Sequence, residues 1–154
     1  MTSKSKFWPF FPFVEKFCFK MGIFHFWFLF ACISAGNAQT IVFQSGEKGY
    51  KSFRIPAIVK VSEGRLLAFC EGRTNSAADF GNIDIVSKIS NDNGETWSDL
   101  QVVISYDSLQ AGNPAPVVDH FDPAYPLGRI LLFYNTGNNH EGEVRKGKGL
   151  RECW

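Results

Sequence analysis

Four stretches of the chain carry side chains whose types and spacing could do chemistry. Ser90-Asn91-Asp92-Asn93-Gly94-Glu95-Thr96-Trp97 reads as S-x-D-x-G-x-T-W, and its carboxylate invites a catalytic or calcium-binding reading. Local physics gives a plainer answer. Asp92 accepts hydrogen bonds from the amides that follow, Gly94 takes a positive φ, Thr96 begins the outgoing strand and Trp97 packs inward, so the carboxylate holds a turn. The second stretch, Tyr50-Lys51-Ser52-Phe53-Arg54-Ile55-Pro56, ends in F-R-I-P. Its Arg54 offers a planar guanidinium fork suited to a carboxylate, although an arginine at a strand start ordinarily makes a surface ion pair. The third is Glu71-Gly72-Arg73 followed by Asp79 in a polar loop; Asp84 is its nearby competitor but falls inside an alternating strand. The fourth is Gly112-Asn113-Pro114-Ala115-Pro116-Val117-Val118-Asp119, where Asn113 opens a strand. The glycine-rich Gly142–Gly149 run resembles a phosphate loop, but no Lys-Ser/Thr pair follows it and that reading fails.

The elements that must position these residues are short β segments. Arg54–Val61 is a strand with Pro56 at its start, Ser62-Glu63-Gly64 a turn, and Arg65–Glu71 the returning strand of a hairpin. Gly72–Asn82 is a loop, Ile83–Ser90 a third strand, Asn91–Gly94 a turn, and Gln101–Ser105 a fourth strand. Four antiparallel strands joined by turns are the size and order of one β-propeller blade. The pattern begins again, with Asn113–Asp119 paralleling the first strand and Arg129–Asn135 the second. Gly137–Gly149 follows as a loop, and a third strand is expected at Arg151-Glu152-Cys153-Trp154. The fold class is therefore all-β, about one and a half propeller blades of antiparallel four-stranded sheet. A propeller closes only with several blades, so the sequence reads as truncated.

The first 38 residues stand apart. Ten of the 16 phenylalanines lie within the first thirty residues. Lys4, Lys6, Lys16 and Lys20 precede an apolar run from Met21 to Ile33, and Ser34-Ala35-Gly36-Asn37-Ala38 closes it with small residues. This is the pattern of a secretory signal peptide cleaved after Ala38, leaving residues 39–154 as a secreted or periplasmic domain. A retained membrane anchor is the alternative, but the run falls short of the ~20 residues a spanning helix needs, and no stable membrane span is expected. Met21 as the true start and lipidation at Cys32 are further options. Residues 39–154 carry twelve Lys/Arg and fourteen Asp/Glu, which offers no basic stripe for nucleic acid. Cys70 and Cys153, with scattered His120 and His140, make neither a metal site nor a disulfide framework, so no metal or organic cofactor is expected.

F-R-I-P placed 34 residues ahead of the S-x-D-x-G-x-T-W turn, with Glu71-Gly72-Arg73, Asp79 and the Gly112–Asp119 stretch, resembles the N-terminal part of the bacterial-type exo-α-sialidases, in which that turn is the Asp box. The resemblance covers roughly Tyr50–Trp154 and implies a six-bladed propeller. It implies retaining hydrolysis of terminal sialic acid from glycoconjugates, and sialylated glycans as partners. Arg54 matches the first of three arginines that hold the sialic acid carboxylate. Asp79 matches the general acid/base, a role that needs a raised pKa in a partly desolvated pocket. Arg73 would lie beside the site, touching substrate or orienting its neighbours, and Asn113 would reach the sugar's hydroxyl or N-acyl groups from the channel. The family's tyrosine nucleophile, its polarising glutamate and two further arginines come from later blades, so a chain of 154 residues is expected to be inactive alone. A non-catalytic Asp-box propeller binding carbohydrate or protein is the alternative, and a degenerate or mis-called gene a third.

Overall fold

The computed structural model describes residues 39–154, and the expected leader with its alternatives lies outside the described residues. Thr40–Trp154 forms one compact unit. After a 3-10 turn at Glu47–Gly49 the strands are β1 (Ser52–Ser62), β2 (Arg65–Arg73), β3 (Ile83–Ser90), β4 (Gln101–Ile104), β5 (Gln110–Asp119), β6 (Arg129–Gly137) and β7 (Arg151–Cys153). A short helix, α1 (Glu141–Val144), interrupts the expected loop between β6 and β7. The sheet runs β1-β2-β3-β5-β6-β7, with β4 on β3. Every pairing is antiparallel except a single parallel bridge between Ile83 and Gln110. That bridge joins two antiparallel units, β1–β4 and β5–β7. The sheet is open, and the described residues show no propeller closure.

β2 and β3 are buried along almost their whole length. β2 carries the continuous apolar run Leu66–Cys70 expected of a strand buried on both faces, whereas β3 keeps its alternation and buries Asp84 and Lys88 against the Tyr50 hydroxyl and the Glu47 carboxylate. Successive side chains divide between two cores. Cys70 and Val86 pack with Tyr50 and Leu100 on one face. Phe69 and Ile85 pack with Ala111 on the other, against Ile130, Leu132 and Tyr134 of β6.

The two units repeat in register. Arg54 pairs with Glu71 and Ala57 with Phe69, with a bulge between them. Likewise Gly112 pairs with Asn135 and Ala115 with Phe133 across a bulge. Each bulge holds a residue of positive φ followed by proline: Ile55 (φ 55°) before Pro56 and Asn113 (φ 54°) before Pro114. Pro56 therefore sits inside β1 at a bulge, not at the strand's start, because β1 begins two residues earlier than expected, at Ser52. A bulge serves proline equally well, since its missing N–H breaks no regular ladder there. Positive φ suits asparagine but strains the β-branched Ile55, so the backbone is held at some cost where the cleft forms.

The Ser90–Trp97 turn is built as its sequence requires. Asp92 accepts from the Thr96 amide at 2.9 Å and the Thr96 hydroxyl at 2.5 Å, while Ser90 Oγ donates to Asp92 and accepts from the Gly94 amide. Trp97 is half-buried over the turn, its indole N–H donating to the Gly94 carbonyl at 3.1 Å; Leu100, not Trp97, enters the core. The Thr96 and Ser90 hydrogen bonds hold the Asp92 carboxyl at about 2, below its usual value. A depressed carboxylate stabilises the fold fully above the unfolded value of about 3.9, and that stabilisation is lost as pH falls through the folded value. Asp92→Asn should thus melt below the wild type at pH 6, with the gap closing by pH 2. A gap independent of pH would show that the charge does not hold the turn.

Candidate functional site

Arg54, Arg73, Asp79 and Asn113 all line one cleft of about 270 Å³. The bulge in β1 and the last residue of β2 bring two guanidiniums to the loop that follows β2. Asp79 Oδ1 receives Arg54 Nη1 at 2.7 Å and Arg73 Nη1 at 2.8 Å. Both arginines also donate to the Ala77 carbonyl, at 3.3 and 2.6 Å, so the loop wraps the pair. Asn113 enters from the second unit, its bulge pressed against the first. Asp84 is not among the residues that line the cleft: it is buried in β3 and accepts from the Tyr50 hydroxyl at 2.6 Å.

Glu71 ties these parts together. It is 1% exposed. Its Oε2 accepts from Arg73 Nε at 3.0 Å and also from Arg73 Nη2, while Oε1 accepts from the Asn113 amide at 2.8 Å. One buried carboxylate thereby fixes a guanidinium of the first unit and the bulge of the second. Gly112 leaves room for it, since a Cβ there would lie 2.7 Å from Glu71 Oε1. Behind the Arg54 bulge the Cys70 thiol donates to the Arg54 carbonyl at 3.0 Å, and burial pushes that thiol up to about 11. Cys70 is a buried free thiol, while Cys153 is free and exposed.

The electrostatics of Asp79 run against the acid/base expectation. Its carboxyl is held below its usual value, chiefly by the Arg73 hydrogen bond, with the charges of Arg73, Arg54 and Arg151 adding to the effect. Desolvation acts the other way and raises it, but with the side chain 73% exposed the two arginines outweigh it. An aspartate between two guanidiniums is an ion-pair partner in this state.

Glu71, Gln110, Glu141 and Arg151 also line the cleft, together with Ile55. Glu71 was visible in the motif but not its burial, and nothing local marks Gln110, Glu141 or Arg151. Their signal lies in the register: Ile83 pairs with Gln110, Gln110 with Gly137 and Gly137 with Arg151, so one row of the sheet leads from β3 to β7 at the cleft. Among the described residues no group of three His, Cys, Asp or Glu side chains is arranged to hold a metal, and no helix is long and apolar enough to cross a membrane. A second cleft of about 280 Å³, at the opposite, hairpin end, is lined by Val61, Leu67, Ile89 and Val118 with Arg65 and His120, and gathers no carboxylate.

No protein-family model matches the chain. It is 42% identical over 83 residues to an exo-alpha-sialidase of Aspergillus fumigatus, an overlap of 50% of this chain and 20% of that protein. It is 31% identical over 118 residues to a sialidase of Paraclostridium sordellii, covering 75% of this chain and 29% of that protein. The fold resembles the NanB sialidase of Streptococcus pneumoniae with a TM-score of 0.57 at 20% identity, over 74% of this chain and 23% of that one. The chain thus spans between about a fifth and under a third of the length of these relatives. By sequence similarity and by fold, the chain resembles part of a bacterial-type exo-α-sialidase.

Proposed function

We propose that the cleft binds the carboxylate-bearing sugar sialic acid at the end of a glycan, and that it is one part of an exo-α-sialidase site acting with retention. The convergence of Arg54, Arg73, Asp79 and Asn113 on one cleft, from two units of the sheet, carries this reading. Arg54 takes the sugar carboxylate in its guanidinium fork. That carboxylate competes with Asp79 for Arg54. Its arrival frees Asp79 from one cation, and closure over the sugar then raises its pKa toward that of a proton donor to the leaving oxygen. Arg73 and Asn113 contact the ring's polar substituents. A tyrosine nucleophile avoids setting an anion against the substrate carboxylate; none of the described tyrosines lines the cleft, and Tyr106 and Tyr134 hydrogen-bond to each other at 2.7 Å. The 154 residues by themselves therefore bind without turnover. In the cell the domain is exported by its leader.

Two titrations test the reading. Arg54→Ala should abolish binding of free sialic acid by the purified chain, measured by ligand-observed NMR. Asp79→Asn should tighten it by up to about fivefold, because it removes a competing exposed ion pair worth ~0–1 kcal/mol. Unchanged affinity in both variants would refute the anchor, and release of a fluorogenic aglycone by the wild-type chain would refute the lack of turnover. The ionised state of Asp79 favours a second reading, a non-catalytic carbohydrate- or protein-binding propeller. In that case a longer protein containing this segment would bind sialosides yet never cleave them.

A further inference from the structure

The core between the two units stops short of the hairpin end of the sheet. Phe69, Ile85 and Ala111 fill its middle and are almost fully buried. Toward the rim, Leu67 pairs with Ile89 across β2 and β3, and Val118 pairs with Ile130 across β5 and β6. These four side chains are only half-buried, and they line the second cleft, of about 280 Å³. The wall on the second unit is preformed. Arg129 is held by Asp119 at 3.1 Å and Asp122 at 2.8 Å and stacks on Tyr125, which fixes the loop between β5 and β6. His120 lies against Gly128, where a Cβ would sit 2.7 Å from its Nδ1. Leu127, 95% exposed, stands at the mouth.

The same cleft carries one unmatched charge. Arg129 is committed to its two aspartates, and just before Arg65 in the chain Glu63 is taken by Lys60 at 2.8 Å. Arg65, which also lines the cleft, makes no ion pair and no side-chain hydrogen bond among the described residues. Water in such a hollow meets hydrocarbon from both units, and an apolar body that displaces it completes the burial the sheet leaves unfinished. A cationic head group on that body would be repelled by Arg65, and a neutral one would leave the charge unmatched; a carboxylate pairs with the guanidinium. We propose that the hairpin-end cleft is a second ligand site that takes a short aliphatic carboxylate, its chain between Leu67–Ile89 and Val118–Ile130 and its head group on Arg65. The cavity falls just below the ~300 Å³ at which pockets for drug-sized molecules begin, so the fit is to a short chain and not to a two-chain lipid. The proposal stands apart from sialic acid binding at Arg54 and does not depend on it.

The test is a methyl-NMR titration of the full chain with butanoate, hexanoate and octanoate. The methyls of Leu67, Ile89, Val118 and Ile130 should shift together and saturate, with affinity rising about fourfold for each added methylene until the cavity is full. Arg65→Gln should weaken octanoate by up to about fivefold, the worth of one exposed ion pair. Octyltrimethylammonium, with the same chain and the opposite charge, should bind more weakly than octanoate, and Arg65→Glu should invert that preference. Arg65 is exposed, so neither variant disturbs the core, and thermal midpoints matching the wild type confirm it. Arg54→Ala should bind octanoate as the wild type does, which separates this site from the cleft at the other end. The site is overturned if the four residues do not respond, if the two head groups bind alike, if Arg65→Glu leaves the preference unchanged, or if Arg54→Ala abolishes the response.

Discussion

Glu71→Ala is expected to destabilise the domain by about 3–5 kcal/mol, the cost of removing one member of a buried ion pair. Glu71 and Arg73 side chains are both only 2% exposed. Without the carboxylate, the Arg73 guanidinium stays in the interior and the Asn113 amide loses its acceptor. Arg73 keeps Asp79 and the Ala77 carbonyl, which places the loss at the lower end of that range. Arg73→Ala should cost more, since it strands a carboxylate whose remaining donor is the Asn113 amide. Replacing both residues with methionine is the informative control. It removes two desolvated charges together and should come close to wild-type stability, while sialic acid binding is lost. Urea denaturation of the four proteins decides the matter, and a loss below about 1 kcal/mol for Glu71→Ala would show that water reaches the pair.

Phe69→Ala should cost about 3–5 kcal/mol, whereas Phe133→Ala should cost below about 1 kcal/mol, although the two residues occupy the same position in the repeat. Phe69 pairs with Ala57 and Phe133 with Ala115, each just beyond the bulge of its unit. Phe69 is 4% exposed, enclosed with Ile85 and Ala111 beneath the second unit. Phe133 is 51% exposed, on a face shared with exposed Val117 and Leu131. Truncating Phe69 opens a cavity between the units; truncating Phe133 removes apolar surface already in contact with water, and should also reduce self-association. Equal losses in the two variants would mean that the Phe133 face is covered in solution.

That pair of phenylalanines marks the boundary of what local pattern can say. Alternating apolar residues were enough to place β3 at Ile83–Ser90, and the hairpin, the repeat and the third strand of the second unit came out within a few residues of their expected positions. These features depend on neighbours close along the chain: strand period, turn residues, a proline with no N–H to give. The resemblance named Arg54, Arg73, Asp79 and Asn113, and these four line one cleft. The α1 helix and the bulge position of Pro56 were missed because each is set by how a segment closes against its neighbours.

Burial and charge environment are decided at longer range. Nothing near Glu71 in the sequence shows that β5 will cover it and that Asn113, 42 residues on, will donate to it. The resemblance makes Asp79 a proton donor, yet folding sets two guanidiniums on its carboxylate and leaves it ionised and exposed. Arg151 and Gln110 line the cleft only because register carries them to one row with a glycine between. The sequence by itself determined the strands and their repeat, because those follow from local sterics and hydrophobic period. Only the tertiary structure decided which groups are desolvated, which charges are matched and which phenylalanine is core, because these depend on the atoms that long-range packing brings alongside.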